Sequence, residues 1–302
     1  MAEAEAVLRR AAQLQEAAER APARGGRWVA RQLVGHRGAL VGLILVAATV
    51  AASAAAPLIV PYDPVEADFT AILRPPGLPH LLGTDQLGRD ILSRVVYGAR
   101  LSLLMSAAAV ALSVLAGVPV GLVCAYYGGW LDSLVQRLVD ILLAFPGFLL
   151  ALVFIAVLGV GETNVVAAVG LAGVPVYVRL VRGVVLVVRE DLYVEAARAL
   201  GVPDGRVLWR HVLPNAVMPV IVQSTLQLGT ALLTAAGLGY LGLGVRPPTP
   251  EWGAMIGEAQ SYVFSAWWMS VFPGLAIFCT VMAFNLIGDG LRDGLDPRTS
   301  VG

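Results

Sequence analysis

There is no lysine in this chain: all 21 of its basic residues are arginine. A P-loop needs a lysine reaching the β- and γ-phosphates, and a Schiff base needs a lysine amine, so both are excluded. Histidine and cysteine are nearly as scarce. His36, His80 and His211 stand far apart, without metal-ligand spacing. The two cysteines, Cys124 and Cys279, fall inside apolar runs. They read as small buried hydrophobes, not as a disulfide framework, and say nothing about redox compartment. No catalytic constellation or metal site is left, and an enzyme is not expected. Charge is thin as well: 14% of 302 residues are charged and the net charge is zero, so the balance implies no nucleic-acid partner.

What the chain does have is apolar surface. Hydrophobic residues make up 58% of it, at a mean hydropathy of +0.76. Ordinary soluble chains are about 45–50% apolar and about 25% charged. The composition therefore points to an all-α protein that crosses a lipid bilayer several times. Crossing a hydrocarbon core about 30 Å thick, at a rise of 1.5 Å per residue, takes about 20 apolar residues. The uncharged runs 39–60, 101–131, 141–161, 212–245 and 259–288 are long enough. A shorter run, 163–178, reaches 188 if Arg179 and Arg182 snorkel. Six transmembrane helices are expected, with a kink at Pro146-Gly147 in the third.

Arginine placement orients them. Arginines gather before residue 39, at Arg137, in 179–210 and after residue 288, and are sparse in 61–100 and around Arg246. By the positive-inside rule both termini and the stretch 190–214 face the cytoplasm. The organisation that follows is a cytoplasmic tail (1–38), a first span (39–60) and an external elbow segment (61–99). A five-helix core (100–290) holds a cytoplasmic hairpin (190–214) and an external loop (244–266), and a cytoplasmic tail closes the chain (291–302). "AASAAAP" at 51–57 has the small residues of a signal-peptidase site. The preceding tail is long for a leader and the apolar run continues through 58–60, so a retained span is the reading. The tail "AEAEAVLRRAAQLQEAAER" is expected to be a solvated or interfacial helix. In the elbow, Asp85, Arg89, Asp90 and Arg94 are spaced for i,i+4 pairs on a surface helix. "RPPTPEW" (246–252) predicts a rigid external loop, and Trp267 and Trp268 fit an interfacial belt.

The hairpin is the odd element, a charged stretch between two apolar runs. "YVEAARAL" is built of strong helix formers, Gly201 can stop that helix, and Pro203 suits the start of another. Pro214 is expected to end the second helix before the next span begins. Val207, Leu208 and Val212 form an apolar stripe, with Trp209 to one flank. Two readings stand on these residues alone: an interfacial connector, or a docking element for a cytoplasmic partner. A second pattern lies in the next run, where Gln223, Gln227, Thr230 and Thr234 share one helical face. Polar side chains in hydrocarbon face a partner helix or a watery cavity, which leaves interhelical hydrogen bonding and a pathway lining both open. Gly237, Gly239, Gly242 and Gly244 beyond them serve close packing or a gate.

Glu195-Ala196-Ala197, Gly201 and Leu213-Pro214 resemble the "EAA" signature of membrane subunits of ATP-binding-cassette importers, with His211 where the signature usually has Ile. "LGTDQLGRDILSRVVYGAR" (82–100), "DILLAFP" (140–146), "YLGLGVRPPTPEWGAMI" (240–256) and "FNLIGDGLRDGLDPR" (284–298) resemble the C-type permease of the dipeptide/oligopeptide/nickel branch. The resemblance covers about residues 38–298. It implies a type I importer permease in a bacterial inner membrane. It also implies a homologous second permease, two ATPase subunits that bind ATP and Mg, and an extracytoplasmic substrate-binding protein. This chain itself would hold no cofactor or metal. The hairpin would be the ATPase-coupling element, through Glu195, Ala196, Ala197, Gly201, Leu208, Leu213 and Pro214. Gln223, Gln227, Thr230 and Thr234 are the pathway candidates. The substrate implied is a di- or oligopeptide, with nickel, an oligosaccharide or glutathione as alternatives. An ion-coupled secondary transporter would need an ionisable group at depth, and Asp140, Glu162 and Asp289 lie only at span ends. An intramembrane enzyme would need a nucleophile–base pair that Cys124 and Cys279 lack.

Overall fold

In hydrocarbon a backbone must satisfy its own polar groups, and a single apolar run does so only as an α-helix. The computed structural model, which describes residues 36–295, is helical in its long apolar runs. The expected tail helix, and the tail beyond 295, lie outside the described residues. Among the described residues eleven α-helices run in order: α1 Arg37–Ala54, α2 Ala56–Ile59, α3 Ile91–Tyr127, α4 Gly129–Ala144, α5 Gly147–Leu158, α6 Glu162–Val188, α7 Leu192–Ala199, α8 Asp204–Val207, α9 Leu213–Tyr240, α10 Trp252–Ala259 and α11 Trp268–Leu295. Among the described residues there is no strand, only a bridge between Thr84 and Asp90.

Among the described residues five helices are long and apolar enough to cross a membrane: α1, α3, α6, the continuous helix Asp204–Tyr240, and α11. The sixth candidate is not one helix. Helices α4 and α5 meet at 101°, so the expected kink is a break. Its cause is local: Phe145 precedes Pro146 and adopts an extended conformation (φ −85°, ψ 141°), because the proline ring disfavours the helical region for the residue before it. The 12 residues of α5 span about 18 Å, well short of a full hydrocarbon core.

Small residues set the packing. Helix α3 buries Ala99, Ser102, Ser106, Ala109, Ser113, Gly117 and Gly121, a run of three- and four-residue steps down one face. At Gly117 and Gly121 it meets α6 backbone to backbone. A Cβ on Gly117 would lie 2.8 Å from the Val174 carbonyl oxygen, and one on Gly121 would lie 2.7 Å from that of Val178. Helices α3 and α6 thus approach as closely as membrane helices do at small-residue seams. Helix α11 returns beside α1, where the His36 ring caps α1 by accepting the Ala39 N–H at 3.1 Å.

Two further expectations change. Pro214 does not end a helix. A five-residue π turn, Leu208–Val212, leads directly into α9, and Pro214 sits in the first turn of that helix. Proline is tolerated there because the first N–H groups of a helix need no intrahelical acceptor. The elbow also carries no surface helix at Asp85 and Arg89: residues 60–90 are turns and extended segments, and α3 starts at Ile91 with Asp90 as its cap.

Candidate functional site

The hairpin is short, and its shape comes from one left-handed residue. Helix α7 ends in a Schellman arrangement: the Gly201 N–H donates to the Arg198 carbonyl at 2.9 Å, and the Val202 N–H donates to the Ala197 carbonyl at 3.1 Å. That geometry needs positive φ at Gly201, and it is +77°. Open space surrounds the position where a Cβ would sit, so what excludes other residues is backbone conformation, not crowding.

The apolar stripe read from sequence faces inward. Val207, Leu208 and Val212 are buried with Val194 and Ala197 of α7, Leu122, Ala125 and Tyr126 of α3, and Val181, Val185 and Val188 of α6. Of the coupling candidates, Glu195, Ala196, Gly201 and Pro214 are exposed, Leu213 is half-buried, and Ala197 and Leu208 lie in this core. Leu208 therefore shapes the hairpin from behind. The outward face adds two residues not named for that role, Leu200 at 85% exposure and Trp209 at 61%. The signal for Leu200 was available, since it stands immediately before the turn glycine. At the base, the His211 carbonyl accepts the Asn215 amide at 2.7 Å and the Tyr193 hydroxyl at 3.3 Å. These bonds tie α7 to the first turn of α9. Tyr126, from α3, bonds to both hairpin helices.

Gln223, Gln227 and Thr234 are half-buried on α9, and Thr230 is exposed. The two threonine hydroxyls donate back into their own helix, to the carbonyls of Leu226 and Thr230. Neither glutamine makes a hydrogen bond to another described residue. Among the described residues the stripe therefore makes no interhelical hydrogen bond. Ser224, off the stripe, does: it accepts from Tyr177 of α6 at 3.0 Å.

The opposite end of the molecule holds a buried ionic cluster. Arg89 donates to Asp85 at 2.6 Å and to Glu258 of α10 at 2.8 Å. Arg94, in the first turn of α3, reaches the same Glu258 oxygen at 3.1 Å and lies 3.5 Å from Asp85. It also donates to the carbonyls of Pro64 and Pro248. Asp85, Arg89 and Arg94 are each 1% exposed. The local Asp85–Arg89 pair does form, but in a buried turn. The expected Asp90–Arg94 pair does not: Asp90 instead accepts from Ser93 at the cap of α3 and lies 3.1 Å from His80. Beside the cluster, Glu251 caps α10 by accepting the N–H groups of Gly253 and Ala254 at 2.9 and 2.8 Å, and Ser102 of α3 donates to it at 3.0 Å. Burial pushes its carboxyl above the usual carboxylate range, against the pull of those donors. Trp252 and Trp268 are both pinned by their indole N–H groups, to Val95 and Thr84. Among the described residues, no three His, Cys, Asp or Glu side chains gather as metal ligands would.

Comparison with known proteins fits this arrangement. The model of the family described as binding-protein-dependent transport system inner membrane component matches residues 117–301. That of the N-terminal TM domain of oligopeptide transport permease C matches residues 26–76. The chain is 44% identical to the dipeptide transport system permease protein DppC of Alkalihalophilus pseudofirmus, over 89% of this chain and 88% of the relative. It is 46% identical to the glutathione transport system permease protein GsiD of Pectobacterium atrosepticum, over 80% of each. Among solved structures, the MetNI methionine ABC transporter in an inward-facing conformation superimposes with a TM-score of 0.55. It is 22% identical and covers 68% of this chain and 98% of its own.

Proposed function

The chain belongs to the family of binding-protein-dependent transport inner-membrane components, in its dipeptide and oligopeptide importer branch, and from that premise we propose that it imports short peptides as one permease of an ATP-driven complex. The observation that carries the peptide reading is the 44% identity to a dipeptide permease across 89% of the chain. Its partners in this reading are a homologous second permease, two ATPase subunits at the hairpin end and a substrate-binding protein at the ionic-cluster end. ATP and Mg are held by the ATPases. The hairpin end then faces the cytoplasm of a bacterial cell, as the arginine distribution supports.

Coupling is mechanical in this proposal. The ATPases close on ATP and push the outward face of the hairpin, where Glu195, Ala196, Leu200 and Trp209 are exposed. The push passes into α6 and α9, which continue from the hairpin, and the permease alternates between two openings. Gln223, Gln227, Thr230 and Thr234 line the route, supported by the absence of any interhelical hydrogen bond from them among the described residues. An uncharged hydrogen-bonding wall suits cargo whose side chains vary, since it holds none of them tightly.

The identity to a glutathione permease favours a second reading of the cargo, since glutathione is itself a tripeptide. The test is uptake by proteoliposomes containing the full complex, with labelled dialanine and labelled glutathione supplied separately. ATP-dependent dialanine uptake is expected. Uptake of glutathione alone moves the assignment to the second reading, and uptake of neither rejects both.

A further inference from the structure

We propose that Tyr126 is a positioning residue that fixes the hairpin to α3, so that a push on the hairpin turns α3 and α6 together and is not absorbed by the hairpin's own hinges. The inference rests on the reading of the hairpin as the element the ATPases contact.

The hairpin has two places to bend. One is the turn after α6, where Glu190 and Asp191 donate to the carbonyls of Val187 and Val188; the other is Gly201. Helix α7, of 8 residues, is far below the length at which a helix holds itself in water, about 12–15 residues, whereas α8 is the first turn of the continuous helix Asp204–Tyr240. The placement of α7 comes from what it packs on. The apolar core beneath it is non-directional and lets a short helix roll. Covalent chain links the hairpin to α6 and α9 but not to α3.

Tyr126 supplies that missing link. It is 6% exposed and is the penultimate residue of α3. The hydroxyl donates to Asp204 Oδ1, at the start of α8, at 2.7 Å. The Tyr126 hydroxyl oxygen in turn accepts from Arg198 Nε, in the last turn of α7, at 3.3 Å, and the Arg198 guanidinium lies 4.8 Å from the ring centroid. One side chain of α3 therefore engages both hairpin helices through charged partners, whose hydrogen bonds are directional and stronger than neutral ones. The other hydrogen bond from this part of α3 goes from Arg189 to the Ala125 carbonyl at 3.0 Å, and it holds the connector, not either hairpin helix. Because α3 and α6 meet backbone to backbone at Gly117 and Gly121, a hairpin fixed to α3 is fixed to the pair.

The experiment measures spin-label distances in the full complex, in a Cys124→Ala, Cys279→Ala background. One label is placed at Leu200→Cys on the hairpin and one at Leu115→Cys on α3, which are 85% and 74% exposed. The parent should give one narrow distance, unchanged between nucleotide-free and vanadate-trapped states. Tyr126→Phe should add a second distance on trapping. Loss of a hydrogen bond to a charged group shifts such a balance by roughly tenfold or more. Asp204→Ala, at an exposed position that leaves the core intact, should do the same. Asp204→Asn, which keeps an acceptor oxygen, should retain the single distance, whereas a merely structural defect would not be rescued by it. A single unchanged distance in both Tyr126→Phe and Asp204→Ala overturns the proposal. Failure of the underlying reading shows separately: the Leu200 label would then stay mobile when the ATPase subunits are added to the permeases.

Discussion

The two ends of this molecule are held by opposite means. At the elbow end Asp85, Arg89, Arg94 and Glu258 form a nearly dry ionic cluster that joins the loop 61–90 to α3 and α10. At the hairpin end a small apolar core holds the hairpin, and the ion pair between α6 and α4, Arg179–Asp140, has side chains 51% and 65% exposed. Buried ions fix geometry, because any displacement strands a charge in a low-dielectric site. Apolar contacts tolerate sliding, so the hairpin end needs added directional bonds wherever it must be stiff. Under the proposed coupling, the contrast suits a head that is set once and a foot that is pushed repeatedly.

The largest test of this contrast is Arg94→Met. It leaves Glu258 and Asp85 short of a counter-ion and should cost about 3–5 kcal/mol of stability, read as a fall in the thermal midpoint of the detergent-solubilised complex. If Arg94→Met melts with the parent, the head is not held by its charges.

Gly201→Asp attacks the other end. The φ of +77° makes any side chain there cost about 1–2 kcal/mol, enough to distort the α7–α8 turn while the spans stay in place. ATP-driven uptake should fall by about tenfold or more, with normal amounts of protein in the membrane. Normal uptake and normal ATPase recruitment would remove the hairpin from the mechanism.

Single cysteines at 223, 227, 230 and 234, in a background without Cys124 and Cys279, should react with a membrane-impermeant thiol reagent in at least one nucleotide state. Silence at all four positions in every state would leave the stripe to contacts with a partner helix.

Glu251 separates the ends by pH. Its carboxyl is raised by burial, so its contribution to stability is greatest below the unfolded carboxylate value of about 4.3 and declines as pH rises through the raised folded value. Parent and Glu251→Gln should diverge in melting temperature across that window, with the parent losing ground as pH rises, and a parallel pair of curves would contradict it. Smallest of all, Asp140→Asn breaks an exposed pair and should change stability by less than about 1 kcal/mol; a shift as large as that of Arg94→Met would erase the contrast between the ends.

What could be read in the sequence depended on how local its physics is. The spans announced themselves by run length, and Gly201 by the helix formers before it and Pro203 after it. Pro146 was legible as a disturbance, but a proline gives no bend angle, and 101° turned one span into two pieces. Pro214 was misread because proline is equally at home after a helix and in the first turn of one. The Val207, Leu208 and Val212 stripe was found, yet its direction was not, since spacing does not say which neighbour lies beneath it. The ionic cluster was hidden for a different reason. Arg89 and Arg94 meet Glu258 across 169 and 164 residues of chain, and no local pattern encodes such a pairing.

That separation also sets an order of events during synthesis. Ribosomes add about 5–20 residues per second, so Arg94 waits on the order of ten seconds before Glu258 exists. By then α3 has entered the bilayer and committed both guanidiniums to their side of it. A nascent chain halted before α10 therefore displays two guanidiniums with only Asp85 to share between them, and the head cannot close until α10 is made.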